Sequence, residues 1–490
     1  MFNLNSILSI WLISILFSCS EKNNQITKPN IVFLLADDMG YGDFEFIGGA
    51  TDTPNMNRLA AEGVWFKNFY AAAPNCSPSR AGLLTGKKPS KVGMYSYLPM
   101  PSNHPMHLPQ SETTIAKILK SIGYSTAAVG KWHLGSFSPK LNHPQPSDHG
   151  FDYFFGTESQ SEPSHLNPTN FIRNGSPVGE TKGYSCQILA EDSINWLKKN
   201  SDNPFFLYVA FHEPHTVVSS PPKLVVKYSN EEKRDAEYLA NIDNLDLAIG
   251  KILDYLEKKN IADNTIIFFA SDNGSYRWES NGGLRNGKSY LYEGGIRVPG
   301  IMRWPKKQFK KNQINTPVGL IDIVPTICDI LNTELPKNVD GTSFLPLLEK
   351  APYKRNNPLS WFFYRQVPEI AVRLGDKILL GADLDTIPRT HGFSKRDLNY
   401  IKNISLKRYE LYDLNQDFSQ KNNLFKSHPK QDSLIGVIDQ LLVEIKTNLY
   451  PWKGLPDNIG GEERRVIKTK YKGAAWIKGS SEVQGLVEEN

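Results

Sequence analysis
"NIVFLLADD", residues 30–38, sets six apolar residues, Ile31 to Ala36, against two adjacent aspartates. An unbroken apolar run of this length suits a strand covered on both faces rather than one with a wet side. Three further stretches have the same form: "STAAVGKWH" (125–133), "PFFLYVAFHEPH" (204–215) and "TIIFFASDNG" (265–274). Between and beside them lie helical patterns, "ETTIAKILKSIG" (112–123), "CQILAEDSINWLKK" (186–199) and "YLANIDNLDLAIGKILDYLEKK" (238–259). The alternation predicts an α/β fold, a large doubly wound and mostly parallel sheet flanked by helices. Ligands of such sheets collect outside the carboxyl ends of the strands. Those ends carry Asp37, Asp38, Lys131, His133, His212, His215, Asp272 and Asn273, which are therefore expected in one crevice.

A chain of 490 residues suits one large domain with a smaller companion. After the helical stretch "VGLIDIVPTICDILN" (318–332) the character changes at "EKAPYKRNN" (349–357), so the boundary is placed at residue 350. The catalytic unit is expected over 29–350 and a C-terminal subdomain over 351–490. In the latter, "LSWFFY", "EIAVRLGDKILLGA" and "RYELYDLN" read as strands of a small antiparallel sheet. "DSLIGVIDQLLVEIKTNL" reads as its covering helix, and the last forty or so residues as a surface tail. Apolar residues make up 40% and charged residues 22%, as in ordinary globular proteins, and the net charge of +5 is spread along the chain. Nothing in that balance calls for a nucleic-acid partner.

The run "ILSIWLISILFSCS" (7–20) is too short to span a bilayer and reads as a secretion signal over 1–18. "LFSC" (16–19) resembles a bacterial lipoprotein processing site, which implies a lipid on Cys19 and a polar tether over 19–28. The expected location is the periplasm or outer-membrane surface, with membrane contact through that anchor. The leader "MFNLNS" lacks Lys and Arg, which keeps plain secretion as the alternative. Cys76, Cys186 and Cys328 remain, an odd set that indicates no disulfide framework. Cys186 and Cys328 fall in amphipathic helical patterns that suit buried thiols. Cys76 differs, because it precedes a Ser-Pro-Ser-Arg stretch read as a turn, with a helix expected to start near Pro78 or Ser79.

"ADDMG" (36–40) and "SDNG" (271–274) bring carboxylate and amide oxygens, the ligands of calcium or magnesium rather than zinc. Either alone is most often a solvated turn; both at strand ends reverse that preference. Cys76-Ser77-Pro78-Ser79-Arg80 followed by "AGLLTGKKP" resembles the signature of the formylglycine-dependent sulfatases, members of the alkaline phosphatase superfamily. Further segments share the likeness, among them "PNIVFLLADDMGYGD", "TPNMNRLAAEGVWFKNFY", "GYSTAAVGKWHLG", "HGFDYFFG", "GGLRNGKSYLYEGGIRVP" and "YELYDLNQDFSQKNNL". The resemblance therefore spans about residues 29 to 425.

It implies that a formylglycine-generating maturation enzyme oxidises Cys76 to 3-oxoalanine (formylglycine). Asp37, Asp38, Asp272 and Asn273 would be calcium ligands, with residue 76 touching the same ion. One hydroxyl of the hydrated aldehyde would attack sulfur and release the alcohol; His133 would take the proton of the other so that sulfate leaves. Lys131 and Arg80 would neutralise charge, while His215 and Lys288 would hold sulfate oxygens and protonate the departing alkoxide. In "FHEPHT" His212, Glu213 and His215 are all plausible by residue type, and the family pattern selects His215 by its place after the proline. His104, His107, His143, His165, Arg173, Trp278 and Arg285 lie in irregular stretches, where ordinary loop packing is the first reading.

The function so implied is hydrolysis of sulfate esters on sulfated polysaccharides or oligosaccharides. The alternatives are a phosphoester hydrolase of the same superfamily and a non-catalytic glycan-binding surface lipoprotein in which Cys76 stays a thiol.

Overall fold
The computed structural model describes residues 28–98, 104–307, 309, 312–364, 368–383 and 393–457. The expected signal, Cys19, most of the tether and most of the C-terminal tail lie outside the described residues. Among the described residues no helix is long and apolar enough to cross a membrane.

The four apolar runs form neighbouring strands of one ten-stranded sheet, in the order Thr265–Ser271, Asn30–Asp37, Phe205–Pro214 and Ser125–Lys131. All three pairings between them are parallel, and Tyr153–Thr157 adds a fifth parallel strand. Antiparallel strands then extend both sides: Gly300–Arg303 pairs with Thr265–Ser271, and Ile172–Arg173 with Tyr153–Thr157.

The unbroken hydrophobicity of Asn30–Asp37 is explained by two cores. Ile31, Phe33 and Leu35 point into one, and Val32, Leu34 and Ala36 into the other. The second core is closed by the helices Pro54–Glu62, Ser185–Asn200 and Lys233–Lys258. The first takes the helices Cys76–Thr85, Ile115–Ser121 and Ile323–Ile330, so helices cover both faces.

The small sheet is a meander of Ser360–Tyr364, Pro368–Leu374, Lys377–Ala382 and Arg408–Asp413, antiparallel throughout. The helix Gln431–Thr447 contributes Ile438 and Leu442 to the cluster beneath it. Trp361 and Phe362 of this sheet belong to the same apolar cluster as Phe66 of the larger one and Tyr70 of the short strand Phe69–Tyr70, which pairs with Val318–Gly319. The Trp361 indole donates to the carbonyl of Ala71 at 2.8 Å, and its ring lies 5.4 Å from that of Tyr70. The chain segment just before Cys76 is thus fixed from both sides.

Candidate active site
Five elements deliver the crevice. The strand Asn30–Asp37 ends on Asp37, and Asp38 follows with φ 67°, a left-handed backbone that turns its carboxylate back beside its neighbour. The strand Thr265–Ser271 pairs in register with it, which places Asp272 and Asn273 alongside; the Asp272 N–H donates to the carbonyl of Ala36 at 3.1 Å. Asn273 Nδ2 donates to Asp38 Oδ1 at 2.7 Å, whereas Asn273 Oδ1 is buried without a partner.

The stretch after Asn75 is not a turn. It is the opening of a helix, Cys76–Thr85, all ten residues of which are buried, and it starts at Cys76 rather than at Pro78 or Ser79. The Asn75 side chain accepts from the Cys76 N–H at 3.0 Å and donates to Ser289 Oγ at 2.9 Å, which makes the early start possible. Ser79 Oγ accepts from the Ala72 N–H, and Ser77 Oγ from the Leu98 N–H, so both serines serve loop backbone. Pro78 costs nothing in a first turn whose N–H groups have no helical acceptor. Cys76 Sγ lies 3.2 Å from Asp37 Oδ1 and 3.7 Å from Asp38 Oδ1. Burial and the nearby Asp37 charge push this thiol well above its ordinary pKa.

Three cations face these carboxylates. Arg80 is completely buried; its Nε and Nη2 grip Asp272 Oδ2 at 2.8 and 2.7 Å, and Nη1 donates to the carbonyl of Lys131 at 2.9 Å. Lys131 Nζ lies 2.6 Å from Asp37 Oδ2, and Lys288 Nζ 2.7 Å from Asp38 Oδ2. Burial raises the Asp37 pKa, but Lys131, His215, Arg80 and Lys288 together outweigh it and hold the carboxyl well below its usual range. Asp272, pressed by burial and by Asp37, is raised to about 7. Lys288 is held protonated, because Asp38 more than offsets its desolvation. Asp37, Asp38 and Asp272 pair with Lys131, Lys288 and Arg80, three acidic side chains against three basic ones.

Two histidines are set by their tautomers. His133 Nε2 sits 3.0 Å from the carbonyl of Leu98, which only accepts, so Nε2 carries the hydrogen and the neutral ring leaves Nδ1 as a lone pair. That Nδ1 is buried and unpartnered, and burial plus Lys131 keeps the ring neutral. His215 Nδ1 faces the carbonyl of Thr216 at 2.7 Å, which leaves Nε2, 3.6 Å from Asp38 Oδ2, as the open atom. Burial and Lys288 lower the His215 pKa to about 4.

The ambiguity in residues 212–215 is resolved by geometry. His212 is held between Thr157 Oγ1 and Ser185 Oγ, 2.7 Å from each, and Glu213 accepts from the Cys186 N–H at 2.9 Å. Only His215 reaches the carboxylates. All ten candidate residues, Asp37, Asp38, Cys76, Arg80, Lys131, His133, His215, Asp272, Asn273 and Lys288, line this one crevice. Asn75 and Ser289, which seat Cys76, were not anticipated; an Asn directly before a Cys-x-Pro helix start is the available signal. Most loop residues have packing roles: Arg285 donates to Tyr412 Oη and the carbonyl of Gln420, and His107 packs against His143 at 4.4 Å. Cys186 and Cys328 are buried free thiols.

One ligand atom each from Asp37, Asp38, Cys76 and Asp272 lie within 4.8 Å of one another. This oxygen-rich set, with the orphaned Asn273 Oδ1 at its edge, fits a hard divalent cation.

The Sulfatase family profile matches residues 29–333. The chain is 34% identical over 393 residues to an arylsulfatase of Hemicentrotus pulcherrimus, covering 74% of this chain and 69% of that protein. It is 34% identical to the human N-acetylgalactosamine-6-sulfatase, covering 71% and 70%. The crystal structure of Ps i-CgsB in complex with k-i-k-neocarrahexaose superposes with a TM-score of 0.74 at 26% identity, over 92% of this chain and 99% of that one. The fold is that of an alkaline-phosphatase-like ester hydrolase, and the chain belongs to the sulfatase family. It is accordingly a sulfuric ester hydrolase, which sets aside the phosphoester and non-catalytic readings.

Proposed function
We propose that this sulfatase removes sulfate from a polysaccharide or oligosaccharide, using a formylglycine made from Cys76 beside a calcium ion. The observation that carries the reading is the meeting of Cys76 Sγ with three carboxylates at the start of a buried helix. Asp37, Asp38, Asp272 and Asn273 would hold the ion. When present, calcium would supply a positive charge that polarises a sulfate oxygen, and the aldehyde hydrate a nucleophilic hydroxyl. A divalent ion bound among these three carboxylates and three cations would make the set more positive, which attracts an anionic sulfate group.

The chain's own residues then divide the work. Arg80 and Lys131 fix Asp272 and Asp37 in place. Lys288, charged and part-exposed, is the group suited to hold a proton for the departing alkoxide. His215 offers Nε2 at the same rim, where an arriving anion favours its protonation. His133 offers a bare Nδ1 to accept a proton. A glycan substrate is supported by the neocarrahexaose complex of the similar structure. Export as a lipoprotein, supported by residues 1–28, is part of the same reading and suits a polymer met outside the cell.

The test has two arms. Protein from its native host should yield a Cys76 peptide in which sulfur and two hydrogens have given way to one oxygen. It should also release sulfate from at least one of a panel of defined sulfated oligosaccharides. Cys76→Ala should abolish that release, and full activity in this variant ends the proposal.

A further inference from the structure
Trp278 is the exception among the described tryptophans: it is 41% exposed, while the others are buried or half-buried. A bare indole costs solvation, so a rigid one beside a catalytic crevice calls for an occupant. It sits in the single turn Trp278–Asn281, and the turn is clamped from both sides. Asn281 Oδ1 accepts from the Ser275 N–H at 2.9 Å, and its Nδ2 donates to the carbonyls of Ser275 and Asn286 at 3.1 Å each. On the other flank Arg277 pairs with Asp235 and Glu279 and lies 4.6 Å over the Tyr238 ring.

The indole adjoins the reacting groups through one residue. A Cβ on Gly287 would lie 2.9 Å from Trp278 Cδ1, so the ring rests on the Gly287 backbone. The next residue is Lys288, whose N–H donates to the carbonyl of Ser275 and whose Nζ meets Asp38. Ser289 then donates to the carbonyl of Pro74, two residues before Cys76. Tyr290 braces the indole edge-on at 6.0 Å. A fixed flat apolar surface therefore stands next to the loop that carries Lys288, whose Nζ meets Asp38.

We propose that Trp278 is a specificity-determining residue, the stacking platform for the sugar ring next to the sulfate-bearing unit. A pyranose presents a face of C–H bonds to such a ring, and polar rims on both sides leave its hydroxyls wet. The inference rests on the glycan sulfatase reading and narrows it: oligosaccharides are preferred over small sulfate esters.

The experiment uses the full-length matured enzyme with sulfated hexasaccharides from carrageenan and from a glycosaminoglycan, and with 4-nitrophenyl sulfate. For the hexasaccharide that is desulfated, Trp278→Ala should raise KM about tenfold, equivalent to about 1.4 kcal/mol, with kcat held. Any loss on 4-nitrophenyl sulfate should be clearly smaller than on the hexasaccharide, and Trp278→Phe should restore most of the lost affinity. An unchanged KM for the hexasaccharide, or equal losses on both substrates, overturns the role of Trp278 and leaves the sulfatase reading intact. Hydrolysis of 4-nitrophenyl sulfate alone by the parent enzyme overturns the platform and the glycan assignment together. No hydrolysis of any of them removes the mechanistic reading as well.

Discussion
His133 has φ 54°, a strained backbone for a non-glycine residue, and that strain aims Nε2 at Leu98 and leaves Nδ1 free. If Nδ1 accepts the proton that ends the cycle, His133→Ala should keep the first release of alcohol and lose steady turnover, by about 10²–10⁴-fold. Rapid-mixing kinetics would read this as a burst followed by a near-flat phase. Asp43 gives a second test. It accepts from Tyr238 Oη at 2.7 Å and from the Gly40 N–H at 2.8 Å, yet burial raises its pKa from 3.8 to about 7. Between those values the folded chain keeps a proton that the unfolded chain has lost, so stability falls as pH rises from about 4 to about 7 and then levels. Asp43→Asn should therefore gain Tm relative to the parent at pH 8 and lose that advantage at pH 4. Residue types at strand ends made Asp37, Asp38, Asp272 and Asn273 legible from sequence. The choice of His215 over His212 was not legible from spacing, because it depends on the hydroxyls of Thr157 and Ser185, supplied by distant segments.

At the scale of elements, the buried strands and long helices were readable from periodicity, and the strand order was not. Apolar runs state that both faces are covered without stating which neighbour lies alongside. The start of the Cys76–Thr85 helix was misjudged for a related reason. Ser-Pro-Ser-Arg has turn chemistry in isolation, but here its hydroxyls serve Ala72 and Leu98 and its arginine serves Asp272. Asn75 caps the start of that helix and ties it to Ser289, beside Lys288. Asn75→Ala should cost about 1 kcal/mol of stability and lower kcat more than affinity, since it loosens residue 76 and the lysine loop together. Urea unfolding and steady-state kinetics on one preparation would show both.

For the whole molecule, the two sheets share one apolar cluster, and the smaller one also braces the loop of Lys288. Gln420 Oε1 accepts from the Glu293 N–H at 2.7 Å, and Arg285 lies 3.9 Å over the Tyr292 ring while bonding Tyr412. A ligand that joins Asp37, Asp38 and Asp272 links two central strands, so its effect should be global. Calcium should raise Tm, by about 2.7 kcal/mol of stability at a hundredfold excess over Kd, and a chelator should reverse it. Thermal scans with and without calcium would test this, and Asp272→Ala should flatten the response. The helix that carries Cys76 has a consequence for how the protein is made. Cys76 is 1% exposed and every residue of its segment is covered. The oxidation proposed there has to reach the sulfur while residues 76–80 are still open peptide. Folding and maturation are then competitors, and a chain that closes first is stranded as an inert thiol.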